Sequence, residues 1–426
     1  TTCYPGVIPM KDKDLPPGNT INENDWYLVL GSGPADVNGD PDKSVLPDNI
    51  CSKQPATLYI IDLVKLATDK EIWTVNSAGV FAFGSNFFVK VDSNSFVSDP
   101  ITVDYPDPVN GNLDYNADAV YFGTVSGDST SGWGGKFRRI VIENDLDTTN
   151  WVGDSTFIDL TAVENGQPIT AAPTVAMDKV GNKWLFFGTG RFFDRSDALN
   201  SDQQSYYGIK EPVTGDPAVM TWGPVTISGT SPYDVDKGLL DVSVAKVYLA
   251  DEAGNVEVQG VSGVTEWYDE SDYDLTDAIN DKSGWYINFQ EPKERNIGQA
   301  TLLGGILAFT TYLPSLDPCE FEGDSYLYAL YYLTGTAYKQ FVIGTEEEVV
   351  GEETKERVLK KTPLGKGLAV TPNIHEGRGN NPKLLVQKST GGVVPIEQAS
   401  PGQTKSGATS WREMDSVVNC NPSTSP

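Results

Sequence analysis

Two stretches of this chain carry oxygen-bearing side chains at alternate positions, the pattern that a hard cation requires. In the first, Asn110, Asn112, Asp114, Asn116 and Asp118 alternate with other residues and run directly into the apolar segment 119–122. A loop wrapped around Ca²⁺ turns alternate residues inward, and the ion takes about six to eight oxygens at ~2.4 Å. Asp104 and Asp107 stand just upstream and add charge. The loop departs from an EF-hand: Tyr115 occupies the sixth position, where the turn needs Gly, and no Glu stands at the twelfth. An Asx-rich loop held by its own side-chain to backbone bonds is the competing reading. The second stretch, Asp36, Asn38, Asp40, Asp42 and Ser44, has Pro41 at the sixth position and is the weaker candidate. The acidic run from Tyr268 to Asp274 reads mainly as a solvated loop. Trp133 and Trp411 sit among small residues, where an indole stacks on a ligand or, more commonly, packs between sheets.

Other chemistry lacks its residues. The single histidine, His375, would have to serve any Ser-His-Asp triad, yet no Gly-x-Ser-x-Gly elbow occurs. No glycine-rich phosphate loop with a following Lys-Ser or Lys-Thr is present. Glycosidase chemistry needs only two carboxylates, and none of the 59 acidic residues is marked out as a pair. We therefore expect a non-enzymatic protein. A net charge of −28 argues against nucleic acid and against anionic membrane surfaces as partners. No stretch approaches the ~20 apolar residues of a membrane span, so no membrane insertion is expected. Cys3, Cys51, Cys319 and Cys420 are far apart and never form a Cys-x-x-Cys pair, which favours two disulfides in an oxidising compartment over zinc. Of the three connectivities, Cys3–Cys51 with Cys319–Cys420 is our expectation. The chain opens at Thr1 without a signal peptide, as a processed or excised piece of a larger exported protein would.

The elements that must position these residues are strands. Short apolar, aromatic and β-branched runs recur at 26–30, 58–62, 119–123, 183–187, 246–250, 304–311, 326–330 and 383–387, separated by Gly, Pro, Asn, Asp and Ser clusters. A helix is suggested weakly near Asp272–Ile279. The runs look repeated: 120–124 matches 185–189, and 248–254 and 328–335 are looser copies. The 42 glycines supply the positive φ of tight hairpins. Hairpin repeats of roughly 40–65 residues predict an all-β, modified β-propeller of about seven irregular blades with long loop insertions, a sandwich pair being the rival. The candidate insertions are 34–55, 129–135, 193–204 and the acidic 344–361, read as a solvated excursion or hairpin.

In order along the chain, Trp26–Gly33, Leu58–Asp62, Asp118–Thr124, Trp133–Arg138, Ile169–Val175, Phe186–Phe193, Gln204–Ile209, Gly284–Tyr286, Glu294–Arg295, Phe309–Thr311 with Cys319, and Ser406–Arg412 are similar to one family. The chain resembles the C-terminal β-propeller of the PilY/PilC family of type IV pilus-associated adhesins and biogenesis factors. The resemblance implies an N-terminal extension over 1–25, the propeller over 26–412 and a tail over 413–426. It also implies a pilus-tip or cell-surface location after export through the periplasm, control of pilus assembly against retraction, adhesion, and docking onto minor pilins or a receptor. The family carries a Ca²⁺ loop just before a Val-Tyr strand, the place filled here by Asn110 to Asp118, with Asn at the first position where the family has Asp. A secreted carbohydrate-binding or glycan-processing propeller is the alternative. A quinoprotein-like dehydrogenase is a weaker one, lacking adjacent cysteines and Trp docking repeats.

Overall fold

The computed structural model describes residues 3–11, 24–34, 45–46, 49–50, 52–69, 74–75, 81–82, 87–106, 116–128, 132–142, 157–159, 166–193, 195–211, 213–214, 221–222, 238–269, 272–315, 323–375 and 383–397. Five sheets of three or more strands follow one another along these residues, each built mainly from antiparallel neighbours in chain order. The first comprises Gly6–Lys11, Asn24–Gly31, Ala56–Asp62 and Phe87–Asp92. It therefore begins inside the segment read as an N-terminal extension. Pro9 is tolerated there because Gly6–Lys11 is an edge strand. The second sheet is Ile101–Val103, Ala119–Asp128, Lys136–Val141 and Phe157–Asp159, with two short strands pairing the far end of Ala119–Asp128.

Thr174–Met177, Lys183–Gly188, Ser205–Lys210 and Gly284–Asn288 make the third sheet, with Leu240–Asp241 added in parallel at its edge. Between its third and fourth main strands lies the helix Leu275–Asn280, whose N-cap Asp274 accepts from the Asp277 amide. That helix falls where the sequence suggests one. The fourth sheet is Thr301–Leu303, Ile306–Leu313, Asp324–Tyr331 and Lys361–Lys366. The acidic insertion at 344–361 forms the hairpin Thr345–Val350 with Glu353–Val358. Asn373–His375, Lys383–Gln387 and Val393–Glu397 form the fifth.

Period-two alternation explains why the central strands read as continuous apolar runs. Val120 and Phe122 pack toward the first sheet, against Val29, Leu58 and Ile60. Their neighbours Ala119 and Tyr121 face the third sheet, against Leu185 and Phe187. Trp184 and Phe186 then face the fourth, against Leu307 and Phe309, and Ala308 and Leu327 face Leu384 and Val386 of the fifth. Each interior sheet thus buries both faces against its neighbours in chain order, the packing of propeller blades. Rings bridge the sheets: Phe137 stacks on Phe187 at 4.2 Å and Tyr206 on Phe309 at 3.7 Å between centroids. At Gly208 the indole of Trp285 lies so close that a Cβ would sit 2.3 Å from its Cε2.

The hairpins carry their own repeat. Asp178 to Asn182 and Asp251 to Asn255 share the pattern Asp-x-x-Gly-Asn, with φ of 92° at Gly181 and 91° at Gly254. In both, the Asp Oδ1 accepts from the Asn backbone amide at 2.8 Å, so these two turns are copies of one another.

Candidate functional site

A Gly-Ser/Thr pair stands at the end of the second strand in the first and third sheets and midway along Ala119–Asp128 in the second, and it joins each sheet to the next. Ser32, Thr124 and Thr189 accept, through their hydroxyls, the amides of Thr57, Lys136 and Ser205 at 2.9, 3.0 and 2.9 Å. Their carbonyls accept the amides of Val97, Ile169 and Asn296 at 3.0, 3.2 and 3.0 Å. The preceding glycines, Gly31, Gly123 and Gly188, leave room for those same residues: an added Cβ would lie 2.5, 2.2 and 2.3 Å from them. Val97, Ile169 and Asn296 therefore occupy equivalent places on three lead-in segments.

The residues immediately after them, Ser98, Thr170 and Ile297, line one cavity of about 210 Å³ where the three segments converge. Phe96, Val125, Phe192 and Phe193 supply its apolar wall, and Asp99 contributes a carboxylate. Phe96 and Phe193 meet with centroids 5.7 Å apart, and Phe193 is 38% exposed. The Oδ1 of Asp99 accepts from the Tyr4 amide at 2.7 Å. Desolvation raises the pKa of Asp99, opposed by that hydrogen bond.

The aromatic wall is fixed from behind. Arg191, 2% exposed, donates from Nε to Asp197 Oδ1 at 2.8 Å, and its guanidinium lies 3.3 Å from the centroid of Trp133. The other Asp197 oxygen accepts the Phe193 amide at 2.8 Å. Arg295 fans its donors over the carbonyls of Lys293, Arg191, Asp197 and Asn200. Burial pushes Arg295 down to about 10, with Asp197 opposing. Glu294, the next residue back, accepts from Thr311 at 2.5 Å and Tyr328 at 3.1 Å and pairs with Lys361 at 2.8 Å. Blocks that are distant in sequence and carry the family resemblance, 133, 186–193, 294–295 and 309–311, thus form one structural junction. Trp133 is a buried packing peg in it.

Of the cation loop, Asn116 and Asp118 are described, and both are buried. Asp118 Oδ2 accepts the Tyr105 amide at 2.6 Å, while its backbone bonds Val103 and Ile142, tying three strands of the second sheet together. It faces a buried network in which Tyr105 donates to Tyr121 at 3.1 Å and Tyr121 to Glu211 at 2.7 Å, with Arg139 paired to Glu211. Burial raises Tyr105 and Tyr121 and lowers Lys183, the last opposed by Asp118. Asn110, Asn112 and Asp114 lie outside the described residues, as do Asp36, Asn38, Asp40, Asp42, Trp411, Cys51, Cys319 and Cys420. Cys3 Sγ accepts the Gly31 amide at 3.1 Å. Among the described residues no group of three His, Cys, Asp or Glu side chains forms a metal site, and no helix is long and apolar enough to cross a membrane.

No protein-family model matches the chain. Two type IV pilus biogenesis factor PilY1 homologs of Xylella fastidiosa align with it. One is 28% identical over 253 residues, and the other 26% over 177 residues. These alignments cover 58% and 40% of this chain but 18% and 10% of the relatives, so the chain spans a small part of their length. The crystal structure of the Pseudomonas aeruginosa PilY1 C-terminal domain superposes with a TM-score of 0.52 at 16% identity. It covers 88% of this chain and 70% of that domain. The chain has the fold of the PilY1 C-terminal domain. A PilY1-type propeller accounts for the serial sheets, the repeated Gly-Ser/Thr junctions and the all-β reading of the sequence. The cavity at 98, 170 and 297 then lies at the convergence of three PilY1-type blades. Sequence reasoning missed it, although the repeated Gly-Ser/Thr pairs at 31–32, 123–124 and 188–189 mark its position.

Proposed function

We propose that this chain is a non-catalytic module of a type IV pilus biogenesis factor, acting in pilus assembly against retraction and in adhesion. The supporting observation is the joint likeness to PilY1, in sequence over 253 residues and in fold over 88% of the chain. The module stands at the pilus tip or outer cell surface, reached through the periplasm, and docks onto minor pilins or a surface receptor. The buried charges of its main junction, Arg191, Asp197, Arg295 and Glu294, are committed to protein partners, which suits a rigid scaffold.

In the same proposal the loop from Asn110 to Asp118 holds Ca²⁺. Its donors are all oxygens, the set a hard cation takes. Its last residue is rooted in the second sheet through Tyr105, Val103 and Ile142, so an ion on the loop is felt by the sheet. Asp118 serves as the anchor, and Asn110, Asn112, Asp114 and Asn116 carry the ion. Bound Ca²⁺ supplies positive charge that neutralises clustered oxygens and fixes the junction of loop and strand. Calorimetry on the chain is expected to show saturable Ca²⁺ heat that Asp114→Ala with Asn112→Ala removes while the circular dichroism spectrum stays unchanged. Absent heat, or heat untouched by the double substitution, refutes the calcium part. Complementation of a pilus-deficient deletion strain tests the pilus part separately.

A further inference from the structure

We infer that the cavity at the convergence of the first three blade junctions receives a lysine side chain from a partner protein. Its volume, about 210 Å³, is that of one long side chain rather than a cofactor or a folded element. Phe96, Phe192 and Phe193 line it with aliphatic neighbours, the Ser98 and Thr170 hydroxyls in its wall are engaged by the Gly123 amide and the Gly190 carbonyl, and its one charged group is the Asp99 carboxylate. An apolar stem ending in a cation matches that layout, because a lysine buries its methylenes and presents only its head.

The chemistry of Asp99 selects lysine over arginine. Its Oδ1 already accepts the Tyr4 amide, so a guanidinium fork would have to share that oxygen, which lessens its bidentate advantage. A compact ammonium needs only the second oxygen and a ring face. No Lys, Arg or His among the described residues forms an ion pair with Asp99, although Lys, Arg or His partners hold Asp92, Asp197, Glu211 and Glu294. Arg191, 5.5 Å from the Phe193 ring, is neutralised by Asp197 and does not repel an arriving cation. Burial of Asp99 disfavours its charged form, and a bound ammonium would relieve that penalty. The pocket identity is independent of the pilus assignment.

The test uses three capped tripeptides, acetyl-Gly-X-Gly-amide, with X lysine, arginine or norleucine, titrated against the full chain by saturation-transfer NMR. The lysine peptide is expected to bind roughly tenfold tighter than the neutral norleucine peptide and tighter than the arginine one. Asp99→Asn retains an Oδ1 acceptor for Tyr4 and is expected to erase the lysine preference with the fold intact. Phe193→Leu keeps the apolar wall, removes the ring and is expected to weaken lysine binding roughly two- to fivefold. Equal binding of norleucine, stronger binding of arginine, absence of saturable binding, or an undiminished preference in Asp99→Asn each overturns the inference. Self-association of the chain that Asp99→Asn abolishes would assign the pocket to a second copy and overturn it as well.

Discussion

Replacing Arg191 by Met tests whether the junction behind the cavity is held by one buried ion pair. Arg191 and Asp197 have side chains 2% and 1% exposed, and the pair is made at 2.8 Å. Removing the cation takes from Asp197 its closest charge partner, with the Phe193 amide and the neighbouring Arg295 still beside it, and strips the guanidinium from Trp133, 3.3 Å away. Breaking a buried pair on one side costs ~3–5 kcal/mol, because the stranded charge remains desolvated. Arg191→Lys restores charge but neither the planar stack nor the Nε geometry, and is expected to recover less than half of the loss. Asp197→Asn keeps an acceptor for Phe193 and costs a similar amount alone. The double substitution removes both charges, so its loss should fall short of the summed singles by about 2 kcal/mol or more. Urea unfolding followed by the summed fluorescence of the nine tryptophans measures all four variants. A loss under about 1 kcal/mol in Arg191→Met, or additive singles, would refute the reasoning.

Two further outcomes follow from the same contacts. Thr189→Val preserves shape but orphans the Ser205 amide, buried at 0% exposure, and should cost ~1–3 kcal/mol; Thr124→Val should cost a similar amount through Lys136, both read by thermal or urea unfolding. Lys360 donates to the carbonyls of Ser243 at 2.8 Å and Val242 at 3.2 Å, and burial pushes it down to about 8, with Asp241 opposing. Its folded pKa lies below the unfolded value, so the unfolded chain binds more protons between the two. Its contribution to stability therefore rises as pH climbs from about 8 toward the unfolded value. The difference in unfolding free energy between the wild type and Lys360→Met should change in that direction over that window, and a flat difference would contradict it.

The all-β architecture was legible because strands such as 119–123 and 183–187 bury both faces, leaving long apolar runs between Gly-rich turns. The acidic hairpin at 344–361 was also readable from its charge, and the helix at 275–280 falls within the suggested Asp272–Ile279 segment to within a residue, its Asp274 cap being a finding of the structure. The strand Gly6–Lys11 was not, because Pro9 argues against a strand until its edge position is known. Helix Leu63–Asp69 was missed because its apolar residues span under two turns, too short for periodicity to register. Asp99 stayed hidden for another reason. Among 59 acidic residues its type carries no signal, and its significance comes from Ser98, Thr170 and Ile297 converging beside it. The partners of Arg191 and Arg295 were equally invisible, although both arginines lie in blocks marked by the resemblance.

The central claim, a role in type IV pilus biogenesis, is tested most directly by counting surface pili after in-frame deletion of residues 24–397 from the chromosomal gene. Shear fractions and electron microscopy should show surface pili lost and then restored by the intact gene. Wild-type pilus numbers and wild-type surface motility in the deletion strain would contradict it.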